Sequence, residues 1–92
     1  MHTKPVTIDA IYNGTRKKGL MLDPDERLDK IALELMQLFG LTGTVSLWQM
    51  NLSGCRLLNL DDRVDQTELR SGSVIMVAPE PEQEHRKGAM IA

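Results

Sequence analysis

Side chains that commonly carry catalysis or bind metals are sparse in this 92-residue chain. The two histidines, His2 and His85, stand near opposite ends, and the single cysteine, Cys55, lies between them without a neighbouring histidine. A structural zinc site needs about four such ligands, and a catalytic nucleophile needs an adjacent base. Neither pattern is present, so we predict a protein that is not an enzyme and that holds no metal and no cofactor.

Two further kinds of binding loop are also missing from the sequence. The acidic stretch Asp61-Asp62-Arg63-Val64-Asp65 lacks the glycine and the distal glutamate of a calcium-binding loop, so we interpret its carboxylates as solvated loop charges. No glycine-rich phosphate loop is present either. Small domains, moreover, rarely enclose a cavity large enough for chemistry.

Charge and composition narrow the range of partners. The formal net charge of −2 gives no electrostatic drive toward nucleic acid. The one basic cluster, Arg16-Lys17-Lys18, follows the hairpin-turn signal Asn13-Gly14, and we expect it to be solvated in a lengthened turn. We predict no membrane partner, because no run of about 18 apolar residues is present. A single cysteine and the lack of a secretory signal favour a reducing, cytoplasmic location.

Five segments have the patterns of β-strands. Residues 6–10 alternate apolar and polar side chains, whereas residues 73–78 form a continuous apolar run that is typical of a central strand. Asn13-Gly14 predicts that the first two strands pair as an antiparallel hairpin, with residues 16–19 lengthening the turn. The predicted strands are residues 6–10, 20–22, 45–50, 56–58 and 73–78, with a helical turn expected within 67–72.

One helix is predicted over about residues 25–39. Either Asp23 is its N-cap, with Pro24 in the first position and Glu26 completing a capping box, or Asp25 caps one turn later. Gly40 is expected to end the helix in the left-handed conformation. A core-facing stripe recurs at helical spacing and consists of Leu28, Ile31, Ala32, Leu35 and Phe39, widened by Leu33, Met36 and Leu38.

These elements predict an α+β domain in which one helix packs on one face of a mixed, four- to five-stranded sheet. The first and last strands can be parallel neighbours, because the helix and loops supply a long crossover. Residues 1–4 are predicted to be a flexible N-terminus, 5–79 the domain, and 80–92 a disordered tail rich in Pro and Glu. We expect a monomer. The predicted core is Ile8, Leu22, Leu28, Ile31, Leu35, Leu47, Ile75 and Val77.

The order and spacing of these segments resemble the ubiquitin family. Residues 22–31, LDPDERLDKI, are similar to the exit of ubiquitin's second strand and the start of its helix, and residues 72–77 resemble its last strand. The resemblance covers residues 5–79 and implies the β-grasp fold. Asn13-Gly14-Thr15 and residues 57–60 are also similar to small bacterial ubiquitin-like proteins, a family encoded beside activating, conjugating and isopeptidase partners.

The same resemblance implies a protein modifier, whose C-terminal glycine carboxylate is adenylated and transferred to an amine of a target protein. The family ends in Gly-Gly, but here only Gly88 lies beyond the domain, followed by Ala89-Met90-Ile91-Ala92. We therefore predict a processing protease that cleaves between Gly88 and Ala89, with activating and conjugating enzymes as further partners. The alternative is a non-conjugated interaction module, a subunit or adaptor in a larger complex. A sulfur carrier for cofactor synthesis is disfavoured by the long charged tail.

Alternation within two strands predicts an exposed apolar patch. If Leu47, Ile75 and Val77 face the helix, their neighbours in the sequence must face away from it. The resemblance implies that these outward positions form the sheet patch by which ubiquitin is recognised. A tryptophan suits such a patch because it offers a large contact area with a polar handle. The predicted patch consists of Trp48, Met50, Met76 and Ala78; the alternative is that the alternation of residues 45–50 runs the other way and Trp48 belongs to the core.

Overall fold

The computed structural model describes residues 4–80, which form a mixed five-stranded sheet with one helix across one face. The strand order is β2-β1-β5-β3-β4; β1 and β5 are parallel, and the other neighbours are antiparallel. The predicted α+β architecture is therefore confirmed, with β5 at the centre. The elements are β1 (Val6–Tyr12), β2 (Thr15–Leu22), α1 (Leu28–Phe39), β3 (Val45–Asn51), β4 (Gly54–Leu57), a 3₁₀ turn (Val64–Gln66) and β5 (Val74–Pro79).

The β1–β2 hairpin closes more tightly than the sequence predicted. Asn13 and Gly14 both adopt positive φ, 50° and 81°, so two residues suffice for the turn. Pairing begins at Tyr12 and Thr15, and the basic cluster at residues 16–18 lies inside β2. The prediction of a turn lengthened by residues 16–19 is wrong. The register instead shifts between Ile8 and Ala10, where a bulge takes up the extra length of β2.

The helix starts later than predicted and without a side-chain cap. Its N-cap is Arg27, in an extended conformation, so the predicted caps Asp23 and Asp25 are both wrong. The reason is a backbone pairing with the loop that precedes the 3₁₀ turn. The Leu28 amide donates to the Asp62 carbonyl, and the Asp29 amide donates to the Leu60 carbonyl, at 2.9 Å each. Acceptors distant in sequence thus satisfy amides that a capping side chain would otherwise serve.

Three other predictions concern the end of α1, the width of its apolar stripe and the position of the short helical turn. Gly40 ends α1 at a φ of 71°, as predicted. Leu33 and Leu38 are 60% and 43% exposed, so they do not widen the core stripe, although Met36 is buried. The helical turn expected within 67–72 lies earlier, at Val64–Gln66, because the Thr67 hydroxyl bonds the Val64 carbonyl and ends the turn.

The core lies between α1 and the inner face of the sheet, and all eight predicted core residues are in it. No polar or charged residue between 4 and 80 is buried. Over the same stretch, no helix has the length and apolar character needed to cross a membrane. The buried residues are Ile8, Ala10, Leu22, Leu28, Ile31, Ala32, Leu35, Met36, Val45, Leu47, Leu58, Val64, Leu69, Ile75 and Val77.

Candidate functional site

The sheet face opposite α1, here called the outer face, carries a line of apolar side chains. In the strand register Ile11 of β1 lies beside Met76 of β5. Met76 in turn lies beside Trp48 of β3, and Trp48 lies beside Leu57 of β4. Because paired residues project from the same face, these four side chains form one band across the sheet. We call this band the outer-face row, and Arg16 of β2 lies beside Ile11 at its end.

The period-2 geometry of β3 and β5 explains why the row faces outward. Leu47 and Ile75 point to the helix and are fully buried. Trp48 and Met76, each one residue further along the chain, must therefore project from the opposite face, where both are half-buried. Leu57 on the edge strand is more open, with 55% of its surface exposed. The row is thus a consequence of burying the inner face.

The indole of Trp48 is held in place by a short hydrogen-bond chain. Its Nε1–H donates to the Ser46 hydroxyl at 3.1 Å, and that hydroxyl donates to the Ala78 carbonyl at 3.3 Å. The polar end of the indole is therefore satisfied within the sheet, while its ring remains part of the apolar row. A side chain fixed before binding loses less conformational entropy when a partner covers it.

All four residues of the predicted patch lie on the outer face. Trp48 and Met76 are direct neighbours in the row. Met50 lies two residues further along β3, beside Val74, and Ala78 lies in the other direction, beside Ser46. The geometry thus brings the four together, while their role in binding remains a prediction.

Sequence reasoning missed Ile11 and Leu57, which extend the row to both sides. Ile11 follows the alternation of residues 6–10 by one position, so continuing that pattern would have placed it on the outer face. Leu57 gave no such signal, because its place depends on the β3–β4 register. Leu52, fully exposed at the tip of the β3–β4 turn, adds another apolar side chain near Met50.

At the β2 end of the row, Asp9 and Arg16 form an ion pair. Asp9 Oδ2 accepts a hydrogen bond from Arg16 Nε at 2.9 Å, and Asp9 Oδ1 accepts one from the Gly19 amide at 3.2 Å. The Arg16 hydrogen bond, followed by the Gly19 amide, holds the pKa of the Asp9 carboxyl below its ordinary value. Lys18, also in β2, adds a positive charge that lowers the pKa of Asp9 further.

The predicted processing site, unlike the predicted patch, does not lie among the described residues. Gly88 and Ala89 lie outside the described residues, as do residues 1–3 of the predicted flexible N-terminus and 81–92 of the predicted tail. Between residues 4 and 80, no three His, Cys, Asp or Glu side chains are grouped closely enough to hold a metal ion. Cys55 is exposed on β4.

No protein-family model and no curated protein matches this sequence. Among solved structures, one described as "Molecular Mimicry of SUMO promotes DNA repair" aligns with a TM-score of 0.66 at 17% identity, covering 85% of this chain and 95% of that one. A chain of the MycP5-free ESX-5 inner membrane complex in State II aligns with a TM-score of 0.57 at 15% identity, covering 97% of this chain and 26% of that one. The fold is therefore the ubiquitin-like β-grasp.

Proposed function

We propose that this chain is a ubiquitin-like protein that acts by being bound by other proteins through its outer-face row. The supporting observation is Trp48 of β3, whose indole is fixed by a hydrogen bond to Ser46 and which lies between Met76 of β5 and Leu57 of β4. No element between residues 4 and 80 covers this row. Tryptophan is enriched among the residues that dominate protein–protein binding energy, and contiguous exposed apolar surface often marks an interaction site.

We also propose that the protein has no catalytic activity of its own. No carboxylate between residues 4 and 80 is buried, and Cys55 is exposed on the edge strand β4. Partner enzymes would carry out any chemistry that involves this chain.

In the first form of the proposed function, the protein is a modifier conjugated through Gly88. A protease hydrolyses the Gly88–Ala89 peptide bond, consuming one water and releasing residues 89–92. An activating enzyme then joins the new carboxylate to the AMP moiety of ATP, with pyrophosphate as the leaving group. A target amine attacks the acyl carbon, an amide bond forms, and AMP and a proton leave. Glycine suits this position because it lacks a Cβ, so an enzyme channel can close tightly around the backbone.

In the second form, the protein is a non-conjugated subunit or adaptor that binds through the same row. The match to part of a longer chain in the ESX-5 inner membrane complex is compatible with this form. The two structural matches favour neither form over the other. The two forms share the outer-face row and differ in whether the Gly88 carboxylate is used.

Partner capture from the native cell tests the outer-face row. The wild-type protein, Trp48→Ala and Leu38→Ala are immobilised, and partners retained by wild type are identified and titrated. Leu38 is a matched control, because it is an exposed leucine on the helix, away from the outer face. Trp48→Ala should weaken binding by roughly 2 kcal/mol, or about 30-fold, while Leu38→Ala should not. Equal binding by both variants would contradict the proposal.

Intact-mass measurement separates the two forms. The protein is co-expressed with its genomic neighbours if these include an activating enzyme and a protease. Loss of residues 89–92, with adducts linked through Gly88, is expected for the modifier. Full-length protein without adducts, and Gly88→Ala behaving like wild type, would leave the non-covalent module.

A further inference from the structure

A groove of about 210 Å³ lies on the helix side of the sheet, between α1 and the start of β3. Its walls are mainly aliphatic and include Leu33, Met36, Val45 and Leu60. Leu33 is 60% exposed, so one wall of the groove remains open to solvent. A cavity of about 150 Å³ can hold a benzene-sized molecule, so this groove has room for one or two aliphatic side chains.

The chain leaves the domain at the mouth of this groove. Glu80, the last residue described, lies beside the groove, and its amide donates to the Thr44 carbonyl at 3.0 Å. That bond extends the β3–β5 pairing by one step and fixes where the following residues begin. Residues 81–92 therefore start next to an apolar groove on their own domain.

The composition of residues 81–92 matches the groove in two respects. Their only large apolar side chains are the adjacent pair Met90 and Ile91, and Arg86-Lys87 precedes that pair by two residues. The two charged residues among those lining the groove, Asp29 and Glu80, are both acidic. In sequence, a basic pair followed by an apolar pair thus complements a groove that is lined by aliphatic side chains and two acidic residues.

We propose that Met90 and Ile91 of this chain dock into the groove, with Arg86-Lys87 beside Asp29 and Glu80. The ten residues from Glu80 to Met90 span at most about 36 Å when extended, more than enough to turn back to the groove. Closing a loop of this length adds only a modest entropic cost. The contact is intramolecular, so a weak interaction suffices to populate it.

If the protein is the conjugated modifier of the proposed function, this docking affects cleavage of the Gly88–Ala89 bond. With Met90 and Ile91 in the groove, the Gly88–Ala89 bond is held against the domain, and a protease must compete with docking to reach it. Docking itself requires neither conjugation nor a partner, so it is tested without either.

The test compares amide NMR spectra of the full chain with those of three variants. Ile91→Asp and Leu33→Asp should each release the segment, and Ile91→Asp should shift the amide signals of Leu33, Thr44 and Leu60. Leu38→Asp is the matched control, since it places the same charge on another exposed leucine of α1. It should leave the groove signals unchanged.

A second readout uses trypsin, which cleaves after Arg86 and Lys87. If docking restrains these residues, cleavage should be several times faster in Leu33→Asp than in Leu38→Asp, as followed by intact mass. Identical groove signals in wild type and Ile91→Asp, with equal trypsin rates, would overturn the proposal. Groove shifts that depend on protein concentration and persist in Ile91→Asp would also overturn it, because the occupant is then a second copy. Partner capture by Ile91→Asp reports on the outer-face row separately, so the two proposals can fail independently.

Discussion

On strands β3 and β5, residues one apart in sequence lie in two different environments. Leu47 and Ile75 are fully buried under α1, whereas Trp48 and Met76 sit half-buried on the face that no described element covers. The backbone that positions the two sets is the same, and only the alternation of the strand separates them. The inner set supplies the burial that stabilises the fold, which leaves the outer set free to make contacts outside the domain.

The two faces also differ in how their side chains are fixed. Inner residues are fixed by close packing with the helix stripe. Trp48 is instead fixed by a directional contact, its hydrogen bond to Ser46. Substitutions on the inner face should therefore affect mainly stability, and substitutions on the outer face should affect mainly binding.

The largest expected effect is on the inner face. Ile31→Ala or Leu35→Ala removes a fully buried aliphatic side chain from the helix stripe and leaves a cavity, so each should lower the free energy of unfolding by about 2–5 kcal/mol. In a domain with about 5–10 kcal/mol of stability, that loss is severe. Urea denaturation followed by circular dichroism measures it. A loss below about 0.5 kcal/mol at both sites would mean that the stripe does not carry the core.

The inner face was predictable from sequence because its signals are local. The helical spacing of Leu28, Ile31 and Leu35 can be recognised within two turns of helix. The apolar run of β5 can be recognised within a single strand. The left-handed Gly40 and the Asn13-Gly14 turn depend on backbone chemistry that a short window contains. These features could therefore be predicted without knowing the rest of the fold.

The helix start and the full outer-face row depend on contacts distant in sequence. Asp23 and Asp25 have the right chemistry for an N-cap, but residues 60–62 supply backbone acceptors that fix the first turn differently. The row needs the β1–β5 and β3–β4 registers before Ile11 and Leu57 can be placed beside Met76 and Trp48. No periodicity within one segment encodes those registers.

A comparison of Leu47→Ala with Trp48→Ala tests the two faces at adjacent residues. Leu47 is fully buried, so its truncation should cost about 2–5 kcal/mol. Trp48 loses mainly cross-strand contacts with Met76 and Leu57, so Trp48→Ala should cost about 1 kcal/mol. Urea denaturation of both variants gives the difference. If both variants lose the same free energy of unfolding, or if only Trp48→Ala unfolds, Trp48 is a core residue.

A smaller effect is expected from the hydrogen bond that orients the indole. Ser46→Ala removes the acceptor of Trp48 Nε1–H, but the half-buried indole can turn its N–H toward water. The loss of stability should therefore be about 0.5 kcal/mol. The fluorescence anisotropy of the single tryptophan should fall, because the ring gains freedom. Unchanged anisotropy would show that strand packing alone holds the ring.

The smallest expected effect is electrostatic and depends on pH. Arg16 and the Gly19 amide lower the pKa of Asp9, so the folded protein binds this proton less tightly than the unfolded chain, where the value is about 3.9. The ionised carboxylate therefore adds stability above that unfolded value, and the contribution is lost as the pH falls through the lowered folded value. Asp9→Asn should be slightly less stable than wild type at neutral pH, and the difference should vanish in acid.

Urea midpoints of both proteins across the acid range measure this convergence. Asp25→Asn, in a loop outside the sheet, controls for the loss of one negative charge. If Asp25→Asn shows the same pH-dependent difference, the effect comes from net charge and not from the Asp9–Arg16 pair. A difference that persists unchanged in acid would mean that Asp9 acts through the geometry of the β2 bulge. In that case the β2 end of the outer-face row is positioned by the backbone rather than by charge.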